Sequence, residues 1–212
     1  GFHQLGRPLI NTTMVITWAC RLGSFLLYRI MKDGKDRRFD KVRTNPPKFA
    51  LFWFIQALWI FITAYPVYLI NVKQTEKTVG EFQPTWRDWL GWACWVTGFL
   101  LQCTADFTKL KFNSNPANHG KWIDVGIWKY SQHPNYFGEM LMWSGLFLTS
   151  SNEFEGGFEW CTSALSPLFV ILLLRFVSGV PLLQKSGMKK WGNDANYVRR
   201  VKNTSLLVPW DV

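Results

Sequence analysis

Apolar runs of membrane-spanning length, separated by blocks of basic residues, limit most what this chain can fold into. A helix needs about 20 predominantly apolar residues to cross a bilayer. Five such spans are expected, at about 10–31, 48–72, 86–106, 135–151 and 163–184. The expected fold is therefore all-α, a polytopic bundle of transmembrane helices with loops and a tail outside the bilayer. A formal charge of +10 with 13 Trp and 17 Phe would also suit a nucleic-acid binder. Here, however, the charges are blocked between apolar runs, and Trp gathers near the ends of those runs as an aromatic belt does. The expected partner is a lipid bilayer, not nucleic acid.

The loop charges orient the bundle. Lys32, Lys35, Arg37, Arg38, Lys41, Arg43 and Lys48 follow the first span, while Lys73 and Lys77 are balanced by Glu76 and Glu81 after the second. Lys109, Lys111, Lys121 and Lys129 follow the third span. The fourth loop holds Glu153, Glu155 and Glu159 with no Lys or Arg, and Lys185, Lys189, Lys190, Arg199, Arg200 and Lys202 follow the fifth. This alternation obeys the positive-inside rule for five spans. It places 32–48, 107–133 and the C-terminal tail in the cytosol. Of two glycosylation sequons, Asn11-Thr12-Thr13 is then luminal but close to the membrane, and Asn203-Thr204-Ser205 cytosolic. Short loops, with Pro46-Pro47 and Gly156-Gly157 marking turns, suggest one domain over 1–212. The chain begins with Gly, so upstream helices are expected to be missing.

Cys20, Cys94, Cys103 and Cys161 show neither CxxC nor Cys/His spacing. They read as small core residues, with no metal site and no disulfide framework.

The segment Gly126 to Met140 is too polar to face lipid, yet it runs into the apolar stretch Leu141 to Leu148. Irregular polar backbone at membrane depth is tolerated only where it is buried in protein or lines a cavity, and ionisable groups there mark a functional site. Tyr130, His133, Asn135, Tyr136 and Glu139 are its candidate binding residues. Arg21 and Arg29 lie in the first span, Asp106 at the end of the third and Arg175 in the fifth. Arg29 suits snorkelling to the interface. Arg21 suits a polar cavity, and Arg175 either that or an ion pair. With Lys109, Lys111, Asn113 and the tail residues Lys185, Lys189 and Tyr197, these groups converge on the cytosolic half. Cations for phosphate, hydrogen bonds for ribose and aromatic planes for a base suit a nucleotide-like cofactor. Simpler readings compete. His133 before Pro134 also starts a helix, Glu139 suits a helix N-terminus, Tyr130 and Tyr136 suit interfacial anchors, and the basic tail suits anionic lipid.

At these residues the chain resembles the DUF1295 branch of the steroid 5α-reductase family, which is related to sterol C14-reductases and isoprenylcysteine carboxyl methyltransferases. The resemblance rests on Arg21 and Arg29 followed by Asp36-Arg37-Arg38-Phe39-Asp40, on Ala105-Asp106-Phe107-Thr108-Lys109-Leu110, and on the run from Asn118 to Ser131. It continues through His133-Pro134-Asn135-Tyr136-Phe137-Gly138-Glu139, Ser178-Gly179-x-Pro181-Leu182-Leu183, and Tyr197 with Thr204 and Pro209. It implies an endoplasmic-reticulum membrane enzyme that binds NADPH and delivers hydride to an activated C=C bond of a lipid, sterol-like or isoprenoid substrate. Asp106, Asn135, Glu139 and Arg21 would match family cofactor residues. Two positions depart from the pattern. Gln132 stands where relatives carry Arg, and Trp18 where steroid 5α-reductases carry the tyrosine that polarises the substrate carbonyl. No catalytic residue follows, nor any oligomeric state. An S-adenosylmethionine-dependent lipid or isoprenylcysteine methyltransferase, whose members share His-Pro-x-Tyr-x-Gly, is the alternative enzyme class, and a non-enzymatic membrane scaffold a third reading.

Overall fold

The computed structural model describes residues 6–34, 40, 42, 44–76 and 82–209. The basic residues Lys35, Arg37, Arg38, Lys41 and Arg43, the Asp36 to Phe39 part of the family motif, and Lys77 and Glu81 lie outside the described residues. Among the described residues, seven α-helices follow in order: α1 Gly6–Asp33, α2 Pro46–Glu76, α3 Trp86–Ser114, α4 Pro134–Ser150, α5 Gly157–Leu172, α6 Val180–Trp191 and α7 Ala195–Asn203. Among the described residues there is no strand, only one isolated parallel bridge between Ser131 and Ser205.

Three helical stretches, Gly6–Lys32, Pro46–Lys73 and Gly157–Trp191, are long and apolar enough to cross a membrane. The expected spans at 86–106 and 135–151 form α3 and α4, but these do not meet that standard. Their chemistry explains why. The 17 residues of α4 fall short of the usual length, and α3 carries Asp88, Gln102, Asp106, Lys109 and Lys111. Both helices spend polar side chains on each other and on α1 rather than on lipid. The fifth expected span is broken: α5 passes through a π-helical turn at Leu173–Val177 before α6. A Cβ on Gly179 would lie 2.8 Å from Leu174 Cα, and Pro181 opens α6 with no N–H to give. Such π-turns recur at functional sites.

The closest packing in the bundle joins α3 and α4, which run antiparallel. Gly98 and Gly138 face each other across the seam, and a Cβ on either would sit 2.5 Å from the other's carbonyl oxygen. Two turns away, Gly91 and Gly145 repeat the same reciprocal approach. Small residues spaced by seven let two backbones meet where lipid offers no hydrophobic drive for association. Around this seam lies the core of Trp18, Trp95, Met140, Met142, Trp143, Leu146 and Val170, with Ala64 and Val67 from α2.

The charges sort themselves along the bundle. At the end holding the starts of α1 and α3, Arg7 donates to Asp88 from Nε (2.6 Å) and Nη2 (2.7 Å), and also pairs with Glu153. Lys73 bonds Glu159 there at 2.8 Å. Asn11 donates to Thr149 and Ser150 and accepts from Trp92. It is fully buried inside α1, so its sequon is sealed within the fold.

Candidate functional site

Toward the other end of α3 the helix turns polar on one face. Gln102 and Asp106, four residues apart, point the same way, and α1 answers with Trp18 and Arg21. Arg21 Nη2 donates to Asp106 Oδ2 at 2.5 Å and to the Gln102 carbonyl at 3.1 Å. Asn135, at the start of α4, donates to the other Asp106 oxygen at 3.4 Å. One turn further along α4, the buried carboxylate of Glu139 accepts from Trp18 Nε1 (3.2 Å), from Trp143 Nε1 (2.8 Å) and from Gln102 Nε2. Four of the sequence candidates thus form one buried network with Trp18. That indole stands where a phenol was expected and spends its N–H on Glu139. Two atoms of the network remain without partners, Arg21 Nη1 and Gln102 Oε1. Buried polar atoms are nearly always paired, so unpartnered ones single this network out.

Two cavities open beside this network. The first, about 440 Å³, is lined by Phe25, Arg29 and Lys32 of α1, by Asp106, Lys109 and Leu110 of α3, and by Asn135 and Tyr136 of α4. The second, about 500 Å³, lies between the end of α3, the 118–133 segment, α6 and α7. Lys109, Asn113 and Leu183 belong to both. The second cavity is lined by the cations Lys109, Lys121, Lys190 and Arg200 and by Trp122, Trp128, Trp191 and Tyr197, with no carboxylate among its described lining residues.

Local geometry fixes its walls. Trp128 sits in the 3₁₀ turn Gly126–Lys129 and donates to the Ala105 carbonyl at 2.8 Å. The Lys109 ammonium lies 4.7 Å over the Trp128 ring. Asp194 caps α7 by accepting from the Asn196 and Tyr197 N–H groups. Its second oxygen takes the Trp122 indole at 3.3 Å. Arg200 donates to the Trp128 carbonyl and lies 5.5 Å over the Trp122 ring, while its Nε has no partner.

His133 is 6 % exposed, stacks on Tyr136 at 5.3 Å, and has no partner on either ring nitrogen. Burial first, then the nearby charges of Lys109, Arg200 and Arg175, push its pKa down to about 4. It is a neutral imidazole at physiological pH, offering one N–H donor and one acceptor.

The other candidates are placed as follows. Tyr197 is buried and joins His133 and Lys109 in the second cavity. Lys111, Lys185 and Lys189 are exposed and line neither cavity, and Tyr130 faces outward under Lys129. Arg175 lies over Phe176 in the π-turn, with no salt bridge among the described residues. Sequence reading missed Gln102, whose signal was a lone amide within the apolar run 93–104. It also missed Arg200 and Lys190 as site members, because nothing in a basic tail tells which cation turns inward.

Comparison with known proteins adds the following. A family model described as "Protein of unknown function (DUF1295)" matches residues 3–204. An uncharacterized protein of Schizosaccharomyces pombe is 24% identical over 189 residues, 76% of this chain and 53% of that protein. A protein described as a probable O-methyltransferase from Ustilaginoidea virens is 30% identical over 66 residues, 31% of this chain and 23% of that protein. The chain thus spans about half the length of the first relative and about a quarter of the second. No solved structure matches it.

Proposed function

From the premise that the chain belongs to the DUF1295 family, we propose that it is a membrane-embedded NADPH-dependent oxidoreductase. It would reduce an activated C=C bond in an apolar, sterol-like or isoprenoid substrate. The observation that carries this reading is the second cavity, where four cations and aromatic planes meet with no carboxylate among the described lining residues. NADPH brings a pyrophosphate and a phosphomonoester of about −1.5 to −2 charge, which such a surface attracts. S-adenosylmethionine carries a sulfonium cation, which the same surface repels. The relative described as a probable O-methyltransferase keeps the methyltransferase reading as the second one, since it matches about a third of this chain.

The residues fit the cofactor at the atoms left without partners. His133, Arg200 and Arg21 offer donors, and Gln102 Oε1 an acceptor. In this reading Lys109, Tyr197 and Arg200 hold the phosphates and the base, while Asn135, Asp106 and Glu139 orient the far end of the cofactor toward the first cavity. When bound, NADPH supplies hydride. The chain's own work is positioning. Asp106 fixes Arg21, Trp18 and Trp143 fix Glu139, and Phe25, Leu110 and Leu183 supply the apolar part of a first cavity otherwise lined by polar side chains. A reacting pair must be held about 3–3.5 Å apart in a dry place.

In the same reading α3 and α4 complete five spans around the site, the end holding α6 and α7 faces the cytosol, and the membrane is that of the endoplasmic reticulum. Incubating the protein with membrane lipid extract and deuterated NADPH should yield a deuterium-bearing lipid. Transfer of a labelled methyl group from S-adenosylmethionine, without deuterium, would decide for the second reading.

A further inference from the structure

Gln132 ties the tail to the site. Gln132 donates from Nε2 to two carbonyls at the C-terminal end of α7, Val201 at 2.9 Å and Thr204 at 2.8 Å. Three more bonds join the same segments: Gln132 N–H to the Ser205 carbonyl (2.9 Å), His133 N–H to the Leu206 carbonyl (3.1 Å) and Ser131 Oγ to the Leu207 carbonyl (2.7 Å). The last turn of any helix leaves carbonyls without intrahelical partners. Here an amide from a distant loop satisfies them and also fixes the rotation of α7. That rotation points Arg200 into the cavity, where its Nε and both nitrogens of the adjoining His133 are buried without partners. Lys109 completes the corner from α3.

A cationic corner with unspent donors and no lining carboxylate suits a compact dianion. Charge-assisted hydrogen bonds are about twice as strong as neutral ones. Among the described residues no acid lines this cavity, and Asp124 near Arg200 and Asp106 near Lys109 act on them only at a distance, with no salt bridge to either. We propose that Arg200, Lys109 and the free imidazole of His133 take one phosphate monoester, and that Gln132 is the positioning residue that holds Arg200 there. This inference rests on the nucleotide reading above and deepens it. The group recognised is the 2′-phosphate that separates a phosphorylated nicotinamide dinucleotide from its plain form.

The test uses the protein in nanodiscs of zwitterionic lipid, so that no lipid phosphomonoester competes, with NADP⁺ and NAD⁺ as calorimetric probes. The wild type should bind NADP⁺ more than tenfold tighter than NAD⁺. Arg200→Gln should bring that ratio close to one through loss of NADP⁺ affinity. Gln132→Met, of similar length but without a donor, should lower the ratio as well. Gln132→Arg, which keeps donors for the two carbonyls, should preserve it. A purely structural role for Gln132 would weaken both nucleotides together and leave the ratio unmoved, which would overturn its part. Equal binding of the two nucleotides to the wild type would remove the phosphate corner and leave the nucleotide reading standing. Binding of neither would remove both.

Discussion

The two ends of α3 handle buried charge in opposite ways. Near its start, Arg7 bonds both oxygens of Asp88 as well as Glu153, and Asn11 has partners on both its oxygen and its nitrogen. Toward its finish, polar atoms are buried and left open. Of the buried side-chain atoms without partners among the described residues, those of Arg21, Gln102, His133 and Arg200 lie at this end, and Ser163 Oγ alone lies apart, on α5. Nature tolerates an unpaired buried group only where something else compensates the desolvation. A closed set of charges holds helices in register, whereas an open set leaves buried donors and acceptors unspent.

The comparison breaks most sharply at the closed end. Arg7→Leu strands the Asp88 carboxylate, which is fully buried, and should cost about 3–5 kcal/mol. Chemical denaturation in micelles would read this, and a loss under about 1 kcal/mol would mean that the pair behaves as a solvated one. Next comes the seam that sets the distance between the two ends. Gly98→Leu puts a side chain against the Gly138 backbone, which cannot move aside, and should cost about 1–3 kcal/mol by the same measurement.

At the open end the effects move from folding to binding. Asn135→Ala or Glu139→Ala should each weaken NADPH by more than tenfold, about 1.4 kcal/mol, with unfolding little changed for Asn135→Ala. Unchanged affinity in both would detach the buried network from the cavity.

An effect of pH tests His133 directly. Its pKa is near 4 in the fold against an ordinary 6.5, so between those values the unfolded chain binds a proton that the folded chain refuses. Stability contributed by the neutral imidazole is therefore present above pH 6.5 and lost as pH falls toward 4, by at most about 1.4 kcal/mol per unit. His133→Gln should flatten that part of the profile of melting temperature against pH. At the bottom of the scale, Lys111→Ala and Lys185→Ala should shift NADPH affinity and stability by less than about 0.5 kcal/mol.

The sequence told much of this through what is costly in a membrane. Arg21 and Asp106 could be singled out because a charge at depth needs a reason, and they do meet. The polar segment 126–140 was visible for the same reason, and its residues line both cavities. What stayed hidden was anything decided by rotation about a helix axis. Arg199 and Arg200 are neighbours in a basic run, yet only Arg200 turns inward, because Gln132 and Asp194 fix α7. Gln132 itself read as a departure from the Arg that relatives carry, whereas its amide serves the tail. The seven-residue spacing of Gly91 with Gly98 and of Gly138 with Gly145 was on the page as letters, but glycine in an apolar run is equally compatible with a turn or a kink. The break between α5 and α6 was missed because Gly179 and Pro181 within the run 163–184 are equally compatible with a kink in one continuous span.

The bridge between Ser131 and Ser205 carries a consequence for how the protein is made. Every apolar helix and the α3–α4 seam precede residue 205 in the chain, so insertion and packing of the bundle do not need the segment after α7. The wall contributed by α7 and the segment after it cannot close until residues 205–207 have emerged to meet Ser131 and His133. Insertion and competence are thereby separated in time. A released chain truncated just short of residue 205 should be packed and membrane-integrated yet retain no nucleotide, and retention by that truncation would show that the wall is dispensable.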